Sequence, residues 1–141
     1  MRIPMKVDYG VRALVDLALQ AEAGRPVRTA EIAARQNIPE PYLDQVLTTL
    51  NKLGFIRSRR GPSGGHVLAR SATEIILDDV VTTLEGRIAP VDCVDDVEEC
   101  ALSAACAQRD IWRDVDEAVH RVLINTSVGD LAERQGVLAS R

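Results

Sequence analysis

The segment from residue 29 to residue 70 reads TAEIAARQNIPEPYLDQVLTTLNKLGFIRSRRGPSGGHVLAR, and its pattern decides the fold. Thr29, with an acid two residues later, is typical of a capped helix start and predicts a short helix over 29–36. The turn 37–39 follows, and Pro41 suits the first turn of the next helix, in which leucine and valine keep helical spacing. Two short helices joined by a three-residue turn form a helix-turn-helix candidate.

The hydrophobic period changes after Gly54, which ends the second of these helices. Residues 55–59 alternate imperfectly and residues 66–69 can return beside them, which predicts two strands of a hairpin. The segment between them, Arg60-Gly61-Pro62-Ser63-Gly64-Gly65, is rich in turn residues. From residue 52 to residue 70 the chain has five Lys or Arg residues and no acid. A basic hairpin after a helix-turn-helix predicts a winged helix.

Helical spacing also predicts helices on both sides of this segment. One amphipathic helix is predicted over 8–23, a short helix over 76–84, and a last helical turn or two over 128–135. A long helix of about 20 residues is predicted between the last two, because apolar residues recur there at steps of three and four. Its apolar stripe consists of Ile111, Trp112, Val115, Val119, Val122 and Leu123. The fold class is therefore mainly α with a small β-hairpin wing.

The length of 141 residues and the hydrophobic content of 46% suit one packed domain with an appendage. We expect a winged helix-turn-helix DNA-binding domain, including the N-terminal helix, over residues 1–86. Residues 87–107 are predicted to form a cysteine loop, since 90–106 contains acids and cysteines without clean periodicity. Residues 108–141 are predicted to form a dimerisation helix and a C-terminal tail.

The net charge of −4 is divided unevenly along the chain. Residues 1–70 contain 11 Lys or Arg and 6 Asp or Glu, whereas residues 71–141 contain 6 Lys or Arg and 15 Asp or Glu. A polyanion such as DNA would therefore bind the first half. No apolar run approaches the roughly 18 residues that span a bilayer, and the N-terminus lacks a signal-peptide core. We expect a cytoplasmic protein without a membrane partner, and no phosphate loop or nucleophile-base motif supports an enzyme.

Three cysteines, Cys93, Cys100 and Cys106, are separated by six and then five residues. Three thiols in a reducing compartment cannot all pair, so a metal or redox-active site is favoured over a disulfide framework. Zinc sites usually contain cysteine pairs two to four residues apart, and this loop has none. Small free thiols without a ligand, and a thiol-disulfide switch, are the alternatives.

Four sequence features stand in an order that resembles one known family. They are the opening Met1-Arg2-Ile3 with Tyr9 and Val11, the segment YLDQVL at 42–47, the glycine-rich turn at 60–65, and the three cysteines. The family is that of the Rrf-two type (Rrf2) winged-helix transcriptional regulators, with IscR-like, NsrR-like and RirA-like members. The resemblance runs from Met1 to about Gln135 and implies a DNA-binding regulator, in most cases a repressor.

The resemblance implies that Cys93, Cys100 and Cys106 bind an iron-sulphur cluster, with 2Fe-2S favoured and 4Fe-4S as the alternative. IscR-like members have a histidine ligand three positions after the last cysteine, and this chain has Arg109 there. Arginine is permanently protonated and cannot ligate iron. NsrR-like members use an aspartate near the N-terminus of the partner subunit, which matches Asp8. A helix N-cap is the alternative role for Asp8.

For DNA, the second helix of the helix-turn-helix is expected to enter the major groove. Gln45 can pair with adenine and Asp44 can accept a hydrogen bond from cytosine. Arg60 at the wing tip suits a minor groove, although a solvated charge is the alternative for each surface arginine. Phosphate contacts are predicted for Lys52, Arg57 and Arg59. The other predicted DNA-binding residues are Pro41 and Tyr42 on the helix and Gly61, Ser63 and Gly64 on the wing.

The apolar stripe of the long helix is expected to pack against the same helix of a second chain. Packing within one chain is the alternative. A two-fold homodimer would present two recognition helices to a palindromic operator in double-stranded DNA, and the loop over 90–106 would switch their spacing when its cluster changes. The alternative function is a cluster-free repressor of the same family, controlled by cysteine oxidation, zinc or a protein partner.

Overall fold

The computed structural model of the chain describes residues 2–86 and 89–141. Met1, which opens the sequence motif, and residues 87 and 88, where the predicted cysteine loop begins, lie outside the described residues. The helices are α1 (Met5–Gln20), α2 (Thr29–Gln36), α3 (Glu40–Lys52), α4 (Leu77–Glu85), the one-turn α5 (Asp92–Asp95), α6 (Ala107–Ile124) and α7 (Val128–Ala139). The strands are β1 (Ile56–Arg59) and β2 (Gly65–Leu68).

The two strands form an antiparallel hairpin directly after α3, which confirms the predicted wing. Ile56 pairs with Leu68 and Arg59 with Gly65, so the turn at the wing tip covers residues 60–64. Ile56 is buried, whereas the following three residues of β1 are exposed. The mainly helical fold class with a small hairpin is therefore confirmed.

Helix α1 lies at the centre of the fold and contacts α2, α3, α4 and α7. Its Leu14 is completely buried, as are Leu43 and Leu50 of α3. Removing such leucine side chains from water stabilises the fold by about 1.5–3 kcal/mol each. The amphipathic spacing read in the sequence thus corresponds to one shared core beneath the helix-turn-helix.

The start of α1 corrects one reading of Asp8. The helix begins at Met5, three residues before the predicted start, because Pro4 already has a φ of −58° and occupies the N-cap position. Asp8 therefore lies inside the first turn, and the N-cap alternative for it is wrong. Its carboxylate forms an ion pair with Arg12 one turn later, at 2.8 Å.

The start of α2 is also capped differently from the prediction. Thr29 is the first helical residue and does not cap the helix, since Arg28 occupies the N-cap position. The side chain of Glu31 reaches back instead, and its Oε2 accepts a hydrogen bond from the Arg28 backbone N–H at 2.9 Å. The Thr29 hydroxyl is thereby free to contact the wing.

The C-terminal part of the chain contains more helix than the sequence indicated. The predicted loop over 90–106 contains α5 and two 3₁₀ turns, at Val97–Glu99 and Ser103–Ala105. Helix α6 has 18 residues, close to the predicted length of about 20. Helix α7 has 12 residues, although only one or two helical turns were predicted there. Helix α7 packs on α1, and its Val128 is completely buried in the same core as Leu14. None of the described helices is long and apolar enough to cross a membrane.

An ion pair between the buried carboxylate of Asp16 and the partly exposed Arg35 joins α1 to α2. Asp16 is 1% exposed, and its two oxygens accept hydrogen bonds from Arg35 Nε and Nη2 at 2.9 and 2.8 Å. Gln36 Nε2 adds a third bond to Asp16 at 3.1 Å. The hydrogen bonds to Asp16 raise the pKa of Arg35 above its usual value. This pair fixes the first helix of the helix-turn-helix against the core.

We predict that Asp16→Asn lowers the free energy of unfolding by about 1–3 kcal/mol, because hydrogen bonds to a charged group lose strength when the carboxylate becomes an amide. Asp110→Asn is the matched control, since Asp110 pairs with Arg113 at the surface and should change stability by less than about 0.5 kcal/mol. Urea denaturation measures both values. Equal losses in the two variants would contradict the structural role of the Asp16–Arg35 pair.

Candidate DNA interface and cysteine loop

A groove of about 590 Å³ lies between the start of α2, one face of α3 and the wing. Helix α3 contributes side chains from Glu40 to Asn51, and the wing contributes both of its strands and part of its tip. Three arginines, Arg28, Arg59 and Arg60, line this groove. The concave face between the helix-turn-helix and the wing therefore carries three arginines against two acids of α3, Glu40 and Asp44, which leaves a small net positive charge.

The structure brings together part of the predicted DNA-binding set. Asp44 of α3 and Arg59, Arg60, Gly61 and Gly64 of the wing line the same groove. Gly64 is buried there, and its N–H donates to the Gly61 carbonyl at 3.0 Å. Gly64 thus shapes the turn from within, whereas the other four are exposed.

The remaining predicted residues are exposed but lie outside the lining of the groove. Tyr42 is 56% exposed on the first turns of α3, and Gln45 is exposed on the same helix. Buried residues such as Leu43 and Leu47 recur at helical spacing along α3, so one face of the helix packs against the core and the opposite face is exposed. The exposed residues outside the lining are Pro41, Tyr42, Gln45, Lys52, Arg57 and Ser63.

Sequence reasoning missed several contributors to the groove, including Arg28 and His66, both of which make side-chain contacts to the wing. Arg28 Nη2 donates to the carbonyl of Pro62 at the wing tip. The His66 ring lies within hydrogen-bond distance of Thr29 and Ser58. Burial lowers the pKa of His66 below its usual value, and the charge of Asp44 opposes this effect. The only sequence signal for His66 is its place directly after the two wing glycines.

The three cysteines lie on the segment between α4 and α6 and are all free thiols. Cys93 is half-buried within α5, and Cys106 is half-buried at the N-cap position of α6. Cys100 is exposed between the two 3₁₀ turns. Within residues 2–86 and 89–141, no group of three His, Cys, Asp or Glu side chains is close enough to hold a metal ion. The thiols are thus on one segment but are not drawn together.

Arg109 links the two ends of this segment. Its Nε donates a hydrogen bond to the Cys93 carbonyl at 2.8 Å, and its backbone N–H donates to the Cys106 carbonyl at 3.3 Å. The residue at the position of the histidine ligand of IscR-like proteins therefore fixes the backbone of the segment here.

The three cysteine side chains are of the type that binds an iron-sulphur cluster, because free thiols become thiolate ligands on deprotonation. A second observation is the hydroxyl of Ser103, which lies between Cys100 and Cys106 in sequence. It is buried and has no hydrogen-bond partner within the described part of the chain. A hydroxyl can donate to a thiolate or a sulphide. The segment therefore fits such a group chemically, once its thiols approach one another.

Asp8 lies on α1, and its side chain is half-exposed. Its ion-pair partner Arg12 also donates to the carbonyl of Gln36 at 2.8 Å and stacks over the Tyr9 ring at 4.9 Å. The carboxylate is thus accessible from outside the chain while one oxygen is held by Arg12.

Comparisons with known proteins identify the family. The model of the Rrf2 family, described as an iron-dependent transcriptional regulator, matches residues 3–134. The HTH-type transcriptional regulator IscR of Serratia proteamaculans is 36% identical over 138 residues, which cover 98% of this chain and 83% of the relative.

Two solved structures are also similar. CymR, the global cysteine regulator of B. subtilis, has 32% identity and a TM-score of 0.79, and the match covers 95% of this chain and 98% of that protein. IscR of T. potens has 31% identity and a TM-score of 0.76, and the match covers 96% of this chain and 88% of that protein. The chain therefore belongs to the Rrf2 family of winged-helix, DNA-binding transcriptional regulators.

Proposed function

We propose that the protein is a repressor that binds a palindromic operator as a homodimer and changes its DNA affinity with the state of the segment that carries Cys93, Cys100 and Cys106. The groove between α3 and the wing carries this proposal, because its three arginines line it together with exposed residues of α3 such as Asp44 and Thr48. Phosphate contacts would supply affinity there, and side chains of α3 would supply sequence preference.

Helix α3 is proposed to read bases in the major groove. The Gln45 amide can both donate and accept, which matches the edge of adenine, and Asp44 can accept from cytosine. Arg60 at the wing tip would enter the adjacent minor groove, where the negative potential attracts a guanidinium. Lys52, at the end of α3, would contact phosphate.

Gln45→Ala and Lys52→Ala should weaken DNA binding in different ways. Gln45→Ala is expected to cost about 1–3 kcal/mol on the preferred sequence and to relax the preference at one base pair. Lys52→Ala should weaken all sequences equally and reduce the slope of log affinity against log salt by about 1. Fluorescence anisotropy at several salt concentrations measures both effects, and each variant serves as the control for the other. The same uniform loss in both variants would contradict base reading by α3.

The apolar face of α6 supports the homodimer. Within the predicted stripe, Ile111 and Val122 are 58% and 64% exposed, whereas Leu123 packs against the core of its own chain. A stripe of this kind on a helix is commonly buried against a second chain, and a two-fold pair makes the patch complementary to itself. Two copies of α3 would then face two half-sites of an operator.

An iron-sulphur cluster is the ligand that we propose for the three cysteines, with Asp8 of a second chain as the fourth ligand. When bound, the cluster would supply redox-active iron. Arg109 would hold the backbone at Cys93 and Cys106 while the segment closes. The unpaired Ser103 hydroxyl and the half-exposed Asp8 carboxylate support this ligand, and 2Fe-2S is favoured over 4Fe-4S.

The position of this segment explains how a change there could affect the DNA interface. It joins α4 to α6, and α4 packs on α1, which supports the helix-turn-helix. His120 Nδ1 of α6 lies 2.8 Å from Asp78 Oδ1 of α4, so the two helices are in side-chain contact. A shift of the segment would move α6, and with it the second chain, relative to α1.

A cluster-free thiol switch is the second candidate. Two observations favour it: the thiols are not drawn together within the described residues, and a similar structure is that of a cysteine regulator, CymR. In this case a change of thiol oxidation would alter the segment without iron.

Anaerobic purification should give a brown protein with equal iron and sulphide per chain, because three thiolates on one segment favour a cluster. Cys100→Ala is expected to lose both, while the matched control Val97→Ala, an exposed residue of the same segment, keeps them. Metal analysis, sulphide analysis and the visible spectrum measure this. A colourless protein after reconstitution, with DNA affinity that still responds to thiol oxidants, would contradict the cluster and favour the thiol switch.

A further inference from the structure

His66 lines the DNA groove from strand β2 and uses both of its ring nitrogens. Nε2 lies 2.8 Å from the Thr29 hydroxyl, and Nδ1 lies 2.7 Å from the Ser58 hydroxyl. Thr29 is the first residue of α2, and Ser58 belongs to β1. The imidazole therefore joins both wing strands to the first helix of the helix-turn-helix. We call the contact Thr29–His66–Ser58 the wing bridge.

The wing bridge continues to helix α3. The backbone N–H of Ser58 donates to Asn51 Oδ1 at 3.1 Å, and Asn51 lies in the last turn of α3. At the other end, the Thr29 hydroxyl is available because Glu31 caps the start of α2 in its place. One line of hydrogen bonds thus connects α3, β1, β2 and α2.

The backbone brings the wing close enough for this bridge. Val27 and His66 exchange two backbone hydrogen bonds, at 2.9 and 2.8 Å. A Cβ atom at Gly65 would lie only 2.7 Å from the Val27 carbonyl oxygen, and Gly65 has a φ of +143°. Only glycine tolerates both conditions. Arg28 adds a contact near the wing tip through the Pro62 carbonyl.

We propose that His66 is a positioning residue for DNA recognition, which holds the wing at a fixed angle to α3 so that Arg60 and α3 engage one duplex together. The inference rests on the proposed wing contact of Arg60. A wing that moved freely would lose conformational freedom on binding, and this loss would reduce the affinity gained from Arg60.

The chemistry of imidazole suits this position. A neutral ring has one N–H donor and one acceptor nitrogen, and the hydroxyls of Thr29 and Ser58 can each donate or accept. Burial, which disfavours the charged ring, keeps this neutral form populated beside the arginines of the groove, and Asp44 opposes the effect in part. Both hydrogen bonds can therefore form at once in either tautomer.

A double-mutant cycle between His66 and Arg60 tests the proposal. The full-length protein and its variants are titrated with a duplex that the parent protein has selected from a random-sequence pool. Arg60→Ala should reduce the affinity of the parent by about tenfold. In the His66→Phe background, which keeps a ring and removes both hydrogen bonds, the same change should cost less than about twofold, because the wing no longer holds Arg60 in place.

A second variant and a matched control separate positioning from stability. Thr29→Val keeps the branched shape of the side chain and removes one hydroxyl of the wing bridge. In this background, Arg60→Ala should therefore also cause a smaller loss of DNA affinity than in the parent protein. Ser71→Ala removes a hydroxyl that contacts Thr73 at 3.0 Å, and neither residue lines the groove, so it should leave the loss caused by Arg60→Ala unchanged. Urea denaturation of each variant shows whether it is folded under the conditions of the binding assay, so that only folded proteins are compared.

The outcomes separate this inference from the proposed DNA contact. An equal cost of Arg60→Ala in the parent, His66→Phe and Thr29→Val backgrounds would overturn the role of His66 and leave DNA reading intact. No cost of Arg60→Ala in the parent would refute the wing contact and with it the inference. If His66→Phe does not fold, the Thr29→Val cycle decides by the same criterion.

Discussion

Burial of α1 against α2, α3, α4 and α7 is the constraint on which the rest of the structure depends. Helix α4 approaches α1 closely at Gly10, where a Cβ atom would lie 2.8 Å from Leu84 Cδ1. On another side of α1, the buried carboxylate of Asp16 holds Arg35 of α2. Helix α1, for which no DNA contact is proposed, therefore fixes the orientation of both helices of the helix-turn-helix, including α3, which is proposed to read the DNA.

Through α1, the segment with the three cysteines and the proposed DNA interface share one support. Helix α4 precedes the cysteines, and α7 follows α6 and returns to the core, where Val128 N–H donates to the Ile75 carbonyl at 2.8 Å. Both ends of the 90–127 part are thus anchored on the same body. We propose that a change around Cys93–Cys106 acts on α6, which directly follows Cys106 and also contacts α4 and α5.

Local patterns predicted much of the fold, and tertiary partners decided the rest. The spacing of Leu43, Leu47 and Leu50 predicted α3, and the turn residues after Arg59 predicted the wing, because both depend on neighbours in sequence. The role of Thr29 could not be predicted, since its partner His66 is 37 residues away. In the candidate site, the run of basic residues in the sequence predicted the wing contacts. The contact of Arg28 with the wing tip and the burial of the Ser103 hydroxyl depend on tertiary packing and could not be predicted.

A hydroxyl-radical footprint on a duplex selected from a random-sequence pool tests the central claim most directly, namely that two chains each read DNA with α3 and the wing as one unit. The account predicts two protected half-sites about one helical turn apart, or a multiple of this spacing, with minor-groove protection beside each half-site that disappears in Arg60→Ala. A single protected half-site, or protection that Arg60→Ala leaves unchanged, would contradict it.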